Sequence, residues 1–429
     1  GKVIDQMIQR PWLGLLLCLS VLSAPATHVD ADEWPRFRGP DGMGRSTAEQ
    51  LPTTWSDVDN VLWKTPLPGP GASSPIVWGD RLYVSCYSGY GVDKEAPGDL
   101  ADLRRHLICV DRHTGKIEWN VEESDNGCTG ELEGFVGLHG YASSTPVTDG
   151  TVIYTFYGCS GVYAYNMEGK QLWQTSVGER IDPFGSGTSP ILYDDLLIIN
   201  ASVESRALIA LDRKTGQEVW RAEDVVRSWN TPVIVKTAEG RDELVVSIRL
   251  VFKGFDPKTG EELWVCDAVR DYVCPSLVAH DDIVYGIGGR RGMALAVRAG
   301  GRGDVTESHI LWKENVGSNV PSPVYHDDHL YWLDHKGIAY VLNAATGEEV
   351  LKRRESDTDR VYASLTYGDG KLYAVSRENG TFVYEAEPSL PLIAHNQFSE
   401  DESIFNGSPV LLDERIYLRS DKFLYCIAP

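Results

Sequence analysis

Residues 209–221 read IALDRKTGQEVWR: an apolar run, an Asp-x-x-Thr-Gly turn and a short strand that ends in tryptophan. Glycine at the turn supplies a positive φ without steric cost. The same phrase returns at 111–119 (DRHTGKIEW) and 256–264 (DPKTGEELW), and in weaker form at 166–173 (NMEGKQLW) and 343–351 (NAATGEEVL). A strand–turn–strand unit is therefore repeated along the chain.

A second phrase marks the start of each repeat: Ser or Thr, then Pro or Leu, an apolar strand, a tight turn and another strand. The starts are Ser74, Thr145, Ser189, Thr231, Ser276, Ser322, Ser364 and Ser408. They are 42 to 46 residues apart, except for a first interval of 71. A period in the forties with four short strands per unit is typical of a β-propeller. We therefore expect an all-β, eight-bladed propeller of four-stranded antiparallel blades. Two insertions that lengthen blade one, 90–103 and 122–140, are interpreted as loops.

The two ends of the chain predict how the ring closes. Residues 424–429 supply only the third strand of unit eight, and the missing fourth strand lies at 60–65, around Trp63. A ring sealed in this way leaves no open sheet edge. Tryptophans at one equivalent position of the closing strands are interpreted as scaffold that packs between adjacent blades, not as a ligand cage. They are Trp63, Trp119, Trp173, Trp220, Trp264 and Trp312.

Composition and charge narrow the partners. The chain has 429 residues, of which 42% are hydrophobic, and a formal net charge of −22 at pH 7. Such an acidic surface repels phosphate backbones and favours solubility. We therefore predict that nucleic acid is not a partner.

The N-terminus has the pattern of a secretory signal: a basic residue, a short apolar run and an Ala-x-Ala-like exit. We predict a signal peptide at 1–31, with Met7 as the true start, an N-terminal extension at 32–59 and the propeller at 60–429. The apolar run is too short to span a bilayer comfortably, and no other run approaches membrane length. The interpretation is an exported, monomeric protein of the periplasm or extracellular space, without a transmembrane segment.

Seven of the eight cysteines remain after removal of the signal peptide, so at least one is unpaired within a monomer. Cys128 and Cys159 flank the start of one repeat and form a candidate disulfide. Cys86 and Cys109 lie on strands expected to be neighbours and form another. Export to an oxidising compartment favours such pairs. Buried free thiols are the alternative, and the sequence does not choose between them.

The Asp-x-x-Thr-Gly-x-x-x-Trp phrase resembles the repeat of PQQ-like (pyrroloquinoline-quinone-type) eight-bladed propellers. Two further stretches, 34–42 (WPRFRGPDG) and 297–306 (VRAGGRGDVT), resemble those of a bacterial exported subgroup. The resemblance covers essentially all of the mature chain and implies the fold, but packing and turn residues say little about activity. Some members of this superfamily are quinoprotein dehydrogenases that hold PQQ and Ca²⁺ in the propeller axis. Others are non-enzymatic, such as the lipoprotein of the outer-membrane β-barrel assembly machinery, which scaffolds partner proteins.

The features that quinoprotein dehydrogenases add to the repeat are missing. The resemblance would imply a disulfide between adjacent cysteines, Glu, Asn and Asp ligands to Ca²⁺, and an Asp base. No two cysteines are adjacent, and no acidic cluster of EF-hand type is present. Hydrolase, zinc-protease and P-loop motifs are absent too. We therefore predict no catalytic residue, no metal site and no cofactor, with PQQ and Ca²⁺ as the alternative.

Candidate binding residues lie where the inner strands begin, at the mouth of the central channel. Aromatic faces and hydrogen-bond donors are mixed there, which suits a polar ring ligand or a partner peptide. They are His139, Tyr141, Arg227, Trp229, Asn230, Tyr272, Tyr362 and Asn406. On this hypothesis Trp229→Ala weakens binding and leaves stability nearly intact. The alternative is that these side chains only line a water-filled axis and satisfy strand ends.

The sequence is therefore interpreted as a non-enzymatic, exported module that binds or scaffolds an envelope protein or a small polar ligand at the channel mouth. A quinoprotein-type oxidoreductase is one alternative. A carbohydrate-binding accessory protein of the cell envelope is another.

Overall fold

The computed structural model describes residues 33–429, so the predicted signal peptide, 1–31, lies outside the described residues. Thirty-three strands form eight sheets arranged as blades. Seven sheets have four strands, and that of blade four has a fifth, short strand. The prediction of an all-β, eight-bladed propeller is confirmed.

The strands are numbered along the chain, beginning with β1 (Val61–Pro66). Blade one contains β2 (Ile76–Trp78), β3 (Arg81–Ser88), β4 (Arg104–Asp111) and β5 (Ile117–Ser124). Blade two contains β6 (Val147–Thr148), β7 (Val152–Phe156), β8 (Val162–Asn166) and β9 (Gln171–Thr175). Blade three contains β10 (Ile191–Tyr193), β11 (Leu196–Ala201), β12 (Ala207–Asp212) and β13 (Glu218–Ala222). Blade four contains β14 (Val233–Lys236), β15 (Asp242–Ile248), β16 (Val251–Phe255), β17 (Glu262–Asp267) and the later β21 (Gly303–Asp304).

Blade five contains β18 (Val278–His280), β19 (Ile283–Gly288), β20 (Met293–Arg298) and β22 (Ile310–Glu314). Blade six contains β23 (Val324–His326), β24 (His329–Leu333), β25 (Ile338–Asn343) and β26 (Glu349–Arg354). Blade seven contains β27 (Thr366–Gly368), β28 (Lys371–Val375), β29 (Thr381–Glu385) and β30 (Leu392–Asn396). Blade eight contains β31 (Val410–Leu412), β32 (Arg415–Arg419), β33 (Phe423–Ile427) and β1. The connections hold α1 (Val136–His139), α2 (Thr306–His309) and two 3₁₀ turns, Leu100–Asp102 and Gly158–Ser160. Between residues 33 and 429, no helix has the length and apolar character needed to cross a membrane.

One carboxylate and one glycine shape the Asp-x-x-Thr-Gly turn. Asp212 Oδ1 accepts hydrogen bonds from the backbone N–H groups of Lys214 and Thr215 and from the Thr215 hydroxyl, at 2.8 to 3.0 Å. The Thr215 hydroxyl and these N–H groups hold the pKa of the Asp212 carboxyl below its usual value. Gly216 has a φ of +73°, and a Cβ on it would lie 2.6 Å from the Trp173 ring. The motif therefore sets both a hairpin turn and a contact with the preceding blade.

Tryptophan on the outer strand of one blade packs on the turn of the next blade. The Trp173 indole N–H donates to the Arg213 carbonyl at 3.1 Å. The same bond to the next blade is made by Trp63, Trp119, Trp220 and Trp312. Trp264 differs from this pattern, because its N–H donates to Glu243 Oε2 of its own blade at 2.8 Å. The reason is that blade five has the longer connection 299–309 where blades one to four and blade six place the glycine turn.

The ring is closed at its outer and its inner edge. At the outer edge β1 pairs antiparallel with β33, with Trp63 opposite Cys426, so the predicted closure is confirmed. At the inner edge the Ser74 N–H donates to Thr145 Oγ1 at 2.9 Å, and each repeat start donates in the same way to the next. This cycle, which we call the hydroxyl ring, runs through Ser74, Thr145, Ser189, Thr231, Ser276, Ser322, Ser364 and Ser408 and returns to Ser74, with distances of 2.9 to 3.1 Å. The residues that mark the repeats therefore link neighbouring blades around the axis.

Residues 34–46, which we call the plug, close the channel on the face that carries the Asp-x-x-Thr-Gly turns. Trp34 pairs with the inner strand of blade one, and the Ser46 N–H donates to a carbonyl on the inner strand of blade seven at 2.8 Å. Between these attachments Arg38 is buried, and Phe37 lines the channel itself. Within residues 33–429, the plug therefore closes this end of the channel.

The second blade-one insertion is attached to blade two. Cys128 forms a disulfide with Cys159, whereas Cys86 and Cys109 are buried free thiols. The insertion is not a loop throughout. Strand β5 continues to Ser124 because it stays paired with β4, and α1 lies at the other end of the insertion.

Candidate functional site

The open end of the channel forms a cavity of about 190 Å³, which we call the axial pocket. Its floor consists of hydroxyl-ring side chains and Phe37 of the plug. Three aromatic rings form one wall, and Asn319, Tyr362 and Asn406 lie elsewhere around the cavity. Helix α1 narrows the mouth.

The aromatic wall comes from three successive links between blades and consists of Phe184, Trp229 and Tyr272. The Phe184 ring centroid lies 5.2 Å from that of Trp229 and 4.8 Å from that of Tyr272. The Trp229 indole N–H donates to the Gly185 carbonyl at 2.7 Å, which fixes the ring. The Arg227 guanidinium carbon lies 5.3 to 5.9 Å from all three ring centroids, within the range of cation–π attraction. The rings of the wall are therefore packed against one another and against Arg227 without a ligand.

Helix α1 reaches from blade one across the mouth. The Leu138 carbonyl accepts hydrogen bonds from Arg377 Nη1 at 3.1 Å and from Asn406 Nδ2 at 3.0 Å. Phe135, just before the helix, stacks on Phe184 with centroids 4.6 Å apart. The insertion is thus held by blade seven and the link to blade eight on one side and by the aromatic wall on the other.

His139 is held neutral and has both ring nitrogens engaged. Burial lowers its pKa below the usual value. Its Nε2 lies 2.7 Å from the Phe184 carbonyl, which can only accept, so Nε2 carries the hydrogen. Nδ1 is then the acceptor for the Ser143 hydroxyl. The side chain therefore fastens α1 to the wall and leaves no nitrogen free for proton transfer.

Several buried polar atoms around the axial pocket have no partner within residues 33–429. Asn319 Oδ1 and Asn406 Oδ1 accept no hydrogen bond there. Each hydroxyl of the ring accepts one backbone N–H, but none donates to an acceptor in the described part of the chain. Buried polar groups are normally satisfied, so these atoms are available to solvent or a ligand.

Comparison with known proteins supports this architecture. The sequence profile of the family described as outer membrane protein assembly factor BamB matches residues 54–180, 104–353 and 204–428. The chain belongs to this family. The predicted PQQ-like resemblance is thereby confirmed. A search of curated protein sequences found no match to this BamB-family member.

Solved structures share the fold of this BamB-family chain at low identity. Quinohemoprotein alcohol dehydrogenase from Comamonas testosteroni is 10% identical with a TM-score of 0.67, over 92% of this chain and 80% of that chain. The computationally designed Ika8 protein is 12% identical with a TM-score of 0.58, over 86% and 100%. BamB from Moraxella catarrhalis is 18% identical with a TM-score of 0.49, over 75% and 95%. The first two likenesses show the propeller fold alone, and the third, with a TM-score below 0.5, adds nothing to it.

The axial pocket of this BamB-family chain does not fit PQQ with Ca²⁺. PQQ is a polycarboxylate, and Ca²⁺ takes 6–8 oxygen ligands, commonly including carboxylates. None of the described residues that line the pocket is Asp or Glu. Across residues 33–429, no group of three His, Cys, Asp or Glu side chains could hold a metal ion. Cys274, which lines the pocket, is a single free thiol and not part of an adjacent disulfide.

The structure brings five of the eight predicted binding residues to the axial pocket: His139, Trp229, Tyr272, Tyr362 and Asn406. Arg227 contacts the rings of the wall without lining the cavity. Tyr141 lines a neighbouring cavity and donates its hydroxyl to the Gly130 carbonyl at 3.0 Å. Asn230 is fully buried, and its amide donates to the Ser247 carbonyl, so it satisfies a strand end. These last two residues lie outside the lining of the axial pocket.

Sequence reasoning did not identify residues at the floor of the pocket or at its mouth. Phe37 belongs to the WPRFRGPDG stretch, which served only as a family resemblance, and Phe135 belongs to an insertion interpreted as a loop. Phe184 was missed for lack of any signal in its link. The hydroxyl ring, by contrast, has a signal in the sequence, because hydroxyl side chains recur at equivalent inner positions of all eight repeats.

A second cavity of about 360 Å³ lies beneath the disulfide-linked insertion, and Ser143 lines both cavities. Ser186, at its edge, donates its hydroxyl to Glu204. Glu204 is 2% exposed, and no cation of residues 33–429 forms an ion pair with it. Burial raises the pKa of Glu204 to about 7, so a neutral acid and a carboxylate coexist near neutral pH.

Proposed function

We propose that this propeller is a non-enzymatic, exported binding module, which holds a small polar ligand or an envelope protein at the mouth of the axial pocket. The observation that carries the proposal is the character of the lining. The cavity is recessed and aromatic, with unsatisfied hydrogen-bonding atoms, as binding sites are. Among residues 33–429, no side chain that lines it is suited to proton transfer at neutral pH.

The titratable groups of the pocket support binding over catalysis. A general base needs a pKa near the working pH and a free acceptor atom. His139 has no free nitrogen. Burial raises the pKa of the Cys274 thiol to about 12, so the nucleophilic thiolate is scarce. Neither residue is set up for acid–base or nucleophilic chemistry.

Export and protein partners belong to the same proposal. The signal-like N-terminus and the disulfide between Cys128 and Cys159 both suit an oxidising compartment such as the periplasm. The family description names an assembly factor, which supports an envelope protein as a partner. Two exposed apolar side chains beside the mouth, Phe135 and Ile181, would contribute to such a contact. We expect a monomer that needs no cofactor.

A screen with a pocket-filling variant tests the proposal. A Cβ on Gly187 would meet only Ser143 at 4.0 Å, so Gly187→Leu fills the pocket without backbone strain. Small polar compounds are screened by saturation-transfer NMR against the wild type, Gly187→Leu and the control Gly137→Leu. A Cβ on Gly137 would meet nothing within 4 Å, and Gly137 does not line the pocket. We expect hits that Gly187→Leu alone removes. Hits that survive Gly187→Leu would refute binding in the pocket.

A quinoprotein oxidoreductase is the competing function. Calorimetric titration with PQQ and Ca²⁺, followed by dye reduction with simple alcohols and sugars, separates the two. We expect neither binding nor dye reduction. Micromolar binding together with dye reduction would overturn the proposal and identify a compact dehydrogenase.

A further inference from the structure

We propose that the ligand of the axial pocket is an uncharged, hydroxyl-rich ring, that is, a monosaccharide unit. This inference rests on the proposed function, since it names the class of ligand that the same pocket takes. It follows from the lining's charge, its hydrogen-bonding atoms and its aromatic wall.

The lining carries no formal charge. Among residues 33–429, none that lines it is Asp, Glu, Lys or Arg, and the one histidine there is held neutral by burial. An ion that entered would lose its hydration and find no opposite charge among the lining side chains, which is unfavourable. The lining side chains therefore offer no ion pair to a carboxylate, a phosphate or an amine. Two cations lie just outside the lining, Arg227 against the aromatic wall and Arg377 over the Tyr362 ring, so an amine is disfavoured most.

The floor supplies hydrogen-bond donors. Six members of the hydroxyl ring line the pocket: Ser189, Thr231, Ser276, Ser322, Ser364 and Ser408. Each uses its oxygen to accept an N–H from the neighbouring blade, and its hydrogen has no acceptor in the described chain. A hydroxyl oxygen also keeps a second lone pair. The floor can therefore donate to several ligand oxygens at once and still accept in return.

Two asparagine side chains at the sides of the pocket supply hydrogen-bond acceptors. Asn319 Oδ1 and Asn406 Oδ1 are buried and unpartnered, while the Asn406 amide nitrogen is already bound to the Leu138 carbonyl. The orientation of Asn406 is thereby fixed, with its oxygen left over. A ligand O–H that donates a hydrogen bond would satisfy each of these buried oxygens. A sugar hydroxyl both donates and accepts, so it satisfies the Asn oxygens and the ring hydroxyls together.

The aromatic wall and the volume of the cavity both fit one sugar ring. Phe184, Trp229 and Tyr272 line the cavity and offer aromatic carbon atoms for contact with the C–H groups of a pyranose. The cavity of about 190 Å³ is smaller than the roughly 300–1,000 Å³ of pockets that enclose drug-sized ligands. One sugar ring can enter, and a longer glycan would have to leave the rest of its chain outside the mouth.

The test compares neutral and charged rings of similar size. Methyl glycosides of glucose, galactose and mannose and myo-inositol are titrated into the full mature protein, followed by tryptophan fluorescence and calorimetry. Gluconate, glucosamine and cyclohexanol are the anionic, cationic and apolar counterparts. We expect at least one neutral sugar to bind, and each counterpart to bind roughly tenfold more weakly or not at all, a difference of about 1.4 kcal/mol.

Three variants assign the polar contacts. Asn319→Leu should weaken sugar binding roughly tenfold and leave the melting temperature unchanged or raised, because it removes a buried unpaired oxygen. A role in stability alone would instead lower the melting temperature. Ser322→Ala should weaken binding, whereas Ser322→Thr should retain it, since threonine already serves at two positions of the ring.

The outcomes separate this inference from the proposed function. Tighter binding of gluconate, glucosamine or cyclohexanol, abolished by Gly187→Leu, would overturn the sugar assignment and leave a binding pocket in place. Absence of binding by any probe, with hits in the wider screen that Gly187→Leu removes, would overturn it too. A disaccharide that ends in the preferred sugar is compared with the methyl glycoside of that sugar. If the two bind equally tightly, the ligand is the end of a glycan chain. If the disaccharide does not bind, the ligand is a free monosaccharide.

Discussion

Glu204→Gln should stabilise the folded protein at and above neutral pH. Burial raises the pKa of Glu204 from its ordinary 4.5 to about 7. Between these two values the folded protein keeps a proton that the unfolded chain has lost. Stability from this group therefore falls as pH rises through that window, and the loss is complete above about pH 7. A shift of about 2.5 units at 1.36 kcal/mol per unit corresponds to about 3 kcal/mol.

Urea unfolding of the wild type and Glu204→Gln between about pH 4.5 and pH 8 measures this effect. Glutamine keeps an acceptor for the Ser186 hydroxyl but carries no charge. The difference in free energy of unfolding should be near zero at the acid end and approach about 3 kcal/mol at the alkaline end. All other titratable groups are common to both proteins, so the difference isolates Glu204. A difference that does not change with pH, or a variant less stable at pH 8, would refute a buried carboxylate without a counter-charge.

Three further changes have expected outcomes, each measured by chemical and thermal unfolding. Replacing Cys128 and Cys159 by serine opens a loop with a sequence separation of 31 residues and should cost about 3–4 kcal/mol by the chain-entropy relation; equal stability of the oxidised wild type and the double variant would contradict a structural role. Gly216→Ala should destabilise the protein by several kcal/mol more than Gly370→Ala, because both glycines have positive φ but only the first would place a Cβ against tryptophan; equal losses would show that φ alone matters. Trp229→Ala should lower the free energy of unfolding by about 3–5 kcal/mol and also weaken ligand binding, because the indole is buried and its N–H is hydrogen-bonded. A loss of binding at unchanged stability would favour the expectation drawn from the sequence.

The fold could be predicted because its signals are local and repeated. Asp212 and Gly216 shape one turn within five residues, and the same spacing recurs in other blades. The closing strand was predictable for a similar reason, since Trp63 carries the signature of the strand that unit eight lacks. A repeated local pattern needs no knowledge of distant contacts.

The site could be predicted only in part because distant segments complete it. Trp229 and Tyr272 lie in links whose place in the repeat is known, and both line the pocket. Phe37 and Phe135 enter from the plug and from an insertion, whose positions depend on tertiary contacts such as the stacking of Phe135 on Phe184. Asn230 lies outside the pocket lining because a link residue can turn toward the strands as readily as toward the axis.

Blade eight is made from the first and the last strands of the propeller, which has a consequence for the order of assembly. Val61 pairs with Ile427, 366 positions later, so this contact forms only once the whole chain is present. Pairing over such a separation is slow, and until it occurs the edges of the unfinished ring are open to other chains. A chain cut short before β33 would keep seven complete blades and still lack a closed circle. Such a product should be found aggregated or degraded, not as a smaller working protein.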